Sequence, residues 1–241
     1  MKITIFNGSP RAEKGNTHWM VQEFMKGAES AGAIVENIFL AGKNIHHCQG
    51  CFTCWFKTPG KCTINDDMAE LIEKFKLADI LVFATPVYVD HVTGMMKDFL
   101  DRLVPLGDPH FEKDENGECR HVVKVGCEKP PKLVIISNCG FPEQTHFQVI
   151  SHYFKRVARN MRTEVIGEIY RGGGEILREK SLLLMPFLYG YKKLLQKAGK
   201  EIVNDLKFSP ETALKLEKPI VPDSEYIKSA NQYWDSIVPK E

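Results

Sequence analysis

The sequence predicts a doubly wound α/β domain with a parallel sheet and helices on both faces. Three observations carry that expectation. Short apolar runs alternate with segments of helical periodicity, which implies strand–helix–strand crossovers. The first such run, KITIF (2–6), ends in a Gly/Pro/Asn loop, GSPRAEKGNT (8–17), directly before a helix. The chain has 241 residues, 43% of them hydrophobic and 26% charged, which is enough to enclose one full-sized core.

The elements follow in order. KITIF reads as a buried strand, and THWMVQEFMKGAESAG (17–32) as a helix carrying Trp19, Met20, Phe24 and Ala28, with Gly32 at its end. AIVENIFL (33–40) alternates like a strand, and DDMAELIEKFKLA (66–78) is amphipathic with an aspartate to cap it. DILVFATPVY (79–88) is a strand running into a turn, and TGMMKDFLDRLV (93–104) a helix. KLVIISNCG (132–140), FQVISHYFKRVARNM (147–161) and TEVIGEIY (163–170) supply the last strand, helix and strand, which makes five strands over 1–171. Residues 105–131 are an insert whose Asn116-Gly117 signals a hairpin. Residues 172–241 form an extension packed on the same domain, with a helix at 190–206 and two charged, Pro-punctuated segments after it.

Composition narrows the function. The formal net charge of +1 gives no basic face for nucleic acid. The longest apolar stretch, LLLMPFLYGY (182–191), is too short to span a bilayer and contains Pro186. A cytoplasmic location is expected. Thiols there stay reduced, so clustered cysteines point to metal or redox chemistry rather than disulfides.

Ligands of open α/β sheets bind beyond the carboxyl ends of the strands, where strand order reverses. The 8–17 loop lies there. Free N–H groups at a helix start attract phosphate, Ser9, Asn16 and Thr17 add donors, and Arg11 adds charge. The spacing matches neither G-x-G-x-x-G nor the P-loop, which disfavours a nicotinamide-binding Rossmann site or an NTPase.

NGSPRAEKGNT resembles the FMN-phosphate loop of the NAD(P)H-dependent FMN reductase family, whose fold is flavodoxin-like. ADILVFATPVYVDHVTGMMKDFLDR (78–102) resembles that family's TPVY segment and following helix. CTINDDM (62–68) and SNCGF (137–141) fall where the family has its linking stretch and second ring-contacting loop. The resemblance spans roughly 1–170, and it leaves the insert and the extension unexplained.

It implies FMN with its phosphate in the 9–17 loop and its ring between Pro86, Val87, Tyr88, Val89, Thr93 and Gly94 on one side and Asn138, Cys139 and Gly140 on the other. Such a ring needs a packed face and backbone donors along its edge. No catalytic residue is nominated, because the cofactor carries the hard step. His91 lies beside the ring loop but lacks a named partner. The resemblance further implies NAD(P)H or reduced ferredoxin as electron donor, a small acceptor such as a quinone, free flavin or oxygen, and a homodimer or homotetramer. A carrier relaying electrons between protein partners is the alternative.

Four of seven cysteines, Cys48, Cys51, Cys54 and Cys62, lie in CQGCFTCWFKTPGKC (48–62), spaced C-x2-C-x2-C-x7-C. Three tightly spaced thiolates and a fourth nearby form an all-thiolate ligand set suited to a cubane cluster. A structural zinc ribbon would instead show two separated C-x2-C pairs. The spacing resembles the iron–sulfur flavoprotein branch, where such a loop holds a [4Fe-4S] cluster. Plain FMN reductases carry a similar loop without a cluster, so a redox or structural loop stands beside the cluster as an expectation.

Overall fold

The computed structural model describes residues 1–122 and 130–239. A five-stranded parallel sheet runs in the order β2-β1-β3-β6-β7, formed by β1 (Lys2–Asn7), β2 (Ile34–Phe39), β3 (Ile80–Pro86), β6 (Lys132–Asn138) and β7 (Val165–Arg171). That order reverses between β1 and β3, which opens a crevice at their carboxyl ends, as in flavodoxin-like folds. A separate antiparallel hairpin, β4 (Phe111–Lys113) with β5 (Cys119–His121), turns at Gly117, whose φ of +76° suits a glycine. The hairpin lies within the expected insert; residues 123–129 of that insert lie outside the described residues.

The central strands β1, β3 and β6 are buried on both faces, and their side chains sort by the period of two. Ile3, Ile5, Ile80, Val82, Val134 and Ile136 face one layer. Phe6, Leu81, Phe83, Leu133 and Ile135 face the other. On the first layer lie α1 (Asn16–Ser30) and α6 (Met185–Asp205). On the second lie α3 (Met68–Lys76), α4 (Gly94–Asp101) and α5 (Gln148–Asn160), while the short α2 (Thr53–Phe56) sits in the cysteine loop.

α1 and α6 approach more closely than ordinary side chains allow. A Cβ on Gly27 would lie 1.9 Å from the Gln196 carbonyl oxygen, and one on Gly199 would lie 2.1 Å from that of Phe24. The extension therefore shares the core of the sheet domain. The first turn of α6 starts five residues before the expected 190 because Pro186 sits where its missing N–H costs no hydrogen bond. The two Pro-punctuated segments are helices as well: α7 (Pro210–Glu217), capped by Ser209, and α8 (Asp223–Ile237), preceded by Pro222. Here proline starts helices rather than interrupting them. Among the described residues, no helix is long and apolar enough to cross a membrane.

Candidate functional site

Three loops meet at the carboxyl ends of β1, β3 and β6. The first joins β1 to α1. Ser9, Asn16 and Thr17 are buried there, at 2%, 2% and 0% exposure, although they are polar. The Ser9 N–H donates to Asn7 Oδ1. Two buried polar atoms of this region have no protein partner: the Asn7 Nδ2 donor and the Asn16 Oδ1 acceptor. Leaving such groups unpaired is costly, and together they offer one donor and one acceptor in this region. A phosphate ester on a polyhydroxyl chain has that chemistry.

The second loop follows β3. Thr93 caps α4: its hydroxyl accepts from the Met96 N–H and donates to the Gly8 carbonyl at 2.7 Å. It thus locks the start of α4 to the phosphate loop and leaves the helix N-terminus facing the crevice. Tyr88 and His91 exchange backbone hydrogen bonds across a tight turn whose tip, Val89 and Asp90, takes φ of +48° and +59°. A β-branched residue in the left-handed region is strained, and such strain clusters at binding sites. Tyr88 stays 45% exposed, which leaves its ring free to cover a ligand. The His91 ring is engaged, edge-on to Tyr153.

The third loop follows β6. The Val87 N–H donates to the Asn138 carbonyl, and the Asn138 amide donates to Thr17 Oγ1 at 2.7 Å, so one buried side chain connects this loop to the first. Cys139 is buried, its thiol donates to the Phe141 carbonyl, and burial pushes its pKa up to about 11. A Cβ added to Gly94 or Gly140 would meet nothing within 4 Å, so the space before both loops is open.

The C-terminal extension adds residues that the sequence did not suggest. Arg178 donates to the Glu13 and Gly15 carbonyls and so braces the phosphate loop. Glu175 pairs with Arg11 at 2.9 Å; Arg11, expected to face a phosphate, is held at the rim by this partner. Burial raises the Glu175 pKa, but Arg11 and Asn16 outweigh it and keep the carboxyl below its usual range. The Tyr226 hydroxyl donates to the Gly140 carbonyl at 2.9 Å. No local sequence signal marks these residues, because each acts across more than eighty positions.

The cysteine loop lies at the other end of α4. Cys48, Cys51, Cys54 and Cys62 line one pocket together with Arg102 and Pro105. Gly50 and Phe52, both at positive φ, wrap the chain around it. Trp55 anchors the loop by donating to the Val104 carbonyl, and His47 pairs with Asp98. Burial, and then the nearby Cys62, push the Cys54 thiol up; hydrogen bonds from Thr53 pull the exposed Cys51 thiol down. Among the described residues, no group of three or more His, Cys, Asp or Glu stands ready to hold a metal ion. The four cysteines share the lining of this one pocket.

The fold and these three loops define a flavodoxin-like protein. The NADPH-dependent FMN reductase family model matches residues 1–118, just under half of the chain. An iron–sulfur flavoprotein of Archaeoglobus fulgidus is 38% identical over 133 residues, which cover 55% of this chain and 59% of that one. A second, from Methanocaldococcus jannaschii, is 41% identical over 44% of this chain and 53% of its own. The chain thus spans little more than half the length of these relatives. A Bacillus subtilis protein provisionally named an NAD(P)H-dependent FMN-containing oxidoreductase is 29% identical over 193 residues, covering 76% of this chain and 93% of that one. The FMN complex of an FMN-dependent NADH-azoreductase from Bacillus anthracis shares the fold, with a TM-score of 0.60 at 16% identity, over 84% of this chain and 99% of the other. The family match ends before Asn138, so the third loop stands on its geometry.

Proposed function

We propose that the protein is an FMN-dependent oxidoreductase that passes electrons from NAD(P)H or reduced ferredoxin to a small acceptor such as a quinone, flavin or oxygen, and that its cysteine loop holds a [4Fe-4S] cluster. The observation that carries this reading is the convergence of three loops at the carboxyl ends of β1, β3 and β6, with open space before Gly94 and Gly140.

Ser9, Asn16 and Thr17 hold the phosphate end, with Arg11 at the rim. Tyr88 covers a ring face while the backbone from Pro86 to Val89 meets its edge. Thr93 fixes the α4 N-terminus beside the first loop, where its dipole would favour negative charge on a bound flavin. Asn138, Cys139 and Gly140 close the opposite side. With its thiol pKa pushed to about 11, Cys139 stays protonated at neutral pH and packs as a neutral side chain. Bound FMN supplies the hydride and electron chemistry, which the polypeptide lacks.

Cys48, Cys51, Cys54 and Cys62 supply four thiolates for the cluster, a reading supported by the names of the iron–sulfur flavoprotein relatives. The two sites occupy opposite ends of α4, about 12 Å apart along a helix rising 1.5 Å per residue. A homodimer or homotetramer is supported by an exposed apolar run, Leu182, Leu183, Met185, Phe187 and Tyr189.

The test is an absorbance spectrum of anaerobically purified protein with FMN, iron and acid-labile sulfide assays, followed by mixing with NADH, NADPH or reduced ferredoxin. Flavin bleaching by a nicotinamide with turnover of an acceptor supports the enzyme. Reduction by ferredoxin alone, without acceptor turnover, points to a carrier between proteins. Protein that stays colourless after FMN reconstitution and desalting defeats the reading.

A further inference from the structure

Arg102 follows the last residue of α4 and is one of the two largest fully buried side chains among the described residues, at 1% exposure. It forms a forked pair with Asp66, at 2.6 and 3.0 Å, and donates to the His46 carbonyl at 2.7 Å. Asp66 also accepts from the His46 and Met68 N–H groups, so its two oxygens serve four donors. The carboxylate is saturated while the guanidinium is not: the Arg102 Nε–H is buried and unpartnered. The same side chain lines the four-thiol pocket, as does Cys62.

The clamp fastens the cysteine loop to α4 and at the same time places a buried positive charge at the wall of that pocket. Buried N–H groups generally find partners, and the residue that carries this spare donor lines the pocket. Arginine keeps its charge at any relevant pH and presents donors in a fixed plane.

We propose that Arg102 is the positioning and charge-balancing residue of the cysteine pocket: its guanidinium donates to the Cys62 sulfur and, through Nε–H, to the anionic group that the four thiolates hold. The inference rests on the cluster reading above. Hydrogen bonds and positive charge at cluster sulfurs favour the more negative, reduced state, so Arg102 sets the cluster potential upward.

The experiment uses the full chain, purified anaerobically, as wild type, R102K and R102Q. Iron, acid-labile sulfide and FMN are assayed, and the cluster potential is read by dithionite titration followed by electron paramagnetic resonance. R102Q is expected to lower the one-electron reduction equilibrium at least tenfold, a shift of about 59 mV to more negative potential. FMN content and the flavin potential should stay at wild-type values, and R102K should fall between. Loss of iron with FMN retained also supports the proposal. Should R102Q fail to fold because Asp66 is left unpaired, D66N/R102Q removes both charges and takes its place. An iron-loaded variant with an unshifted cluster potential overturns the inference alone, as does joint loss of iron, FMN and stability. A wild type free of iron and sulfide overturns the cluster reading and this inference with it.

Discussion

The hydrogen bond from Asn138 to Thr17 joins the third loop to the phosphate loop, 121 positions away in sequence. Both side chains are buried, at 4% and 0% exposure, so neither can turn to water when the other is removed. Truncation in N138A strands the Thr17 hydroxyl, which costs about 1–3 kcal/mol. If the bond mainly fixes the two loops before FMN arrives, that cost appears in affinity, because the loops must be ordered at binding. The expected weakening is about 5- to 150-fold in Kd, at 1.4 kcal/mol per factor of ten. Titration of apoprotein by flavin fluorescence quenching measures it. The cycle of N138A, T17V and the double variant isolates the contact, with an expected coupling of about 0.5–3 kcal/mol. An N138A protein that melts lower but binds FMN within twofold of wild type would show that the bond serves the fold alone, and additive effects in the cycle would refute the preorganisation argument.

R178A removes the brace on the Glu13 and Gly15 carbonyls and should weaken FMN binding by about fivefold, roughly 1 kcal/mol at this partly exposed site; an unchanged Kd removes Arg178 from the site. G199A pushes a methyl into the Phe24 carbonyl and should cost about 1–3 kcal/mol, a fall of about 2–12 °C in Tm by thermal scanning; an unchanged Tm would show that α1 and α6 can part freely. Burial raises the Glu23 carboxyl, but Lys26 and Gln196 outweigh it and hold it below its ordinary 4.5. A depressed folded pKa stabilises above the unfolded value and is lost as pH falls through the folded one. Urea unfolding should therefore find wild type more stable than E23Q at pH 7, with the gap closing below about 4.5, the ordinary glutamate range; a gap constant down to pH 3 contradicts the assignment.

The sheet was legible because each strand–helix unit is specified locally. Ile3 and Ile5 against Phe6, and Val82 against Phe83, state by alternation which layer each side chain enters. The loop from β1 to α1 was legible for the same reason: its glycines, hydroxyls and helix start are adjacent in sequence. The last seventy residues were less so. Pro186, Pro210 and Pro222 read as interruptions, whereas each stands at a helix start, where the absence of an N–H is harmless. Arg178, Glu175 and Tyr226 were beyond local reading, since their partners at Gly15, Arg11 and Gly140 lie 86 to 164 positions away.

The cysteine loop shows both limits at once. Its spacing raised the expectation of a shared ligand set, and in the structure the four cysteines line one pocket. The spacing could not announce Arg102, forty residues beyond Cys62 and written in the sequence as one charge among 32 lysines and arginines. Only its burial, its Asp66 fork and its spare Nε–H distinguish it. α4 explains the juxtaposition. Its first turn is capped by Thr93 at the flavin crevice, and its last delivers Arg102 to the thiols. A helix of this length is rigid, so displacement at one end carries to the other. The distance between Gly94 and Arg102 is therefore set by the helix between them and not by loop conformation.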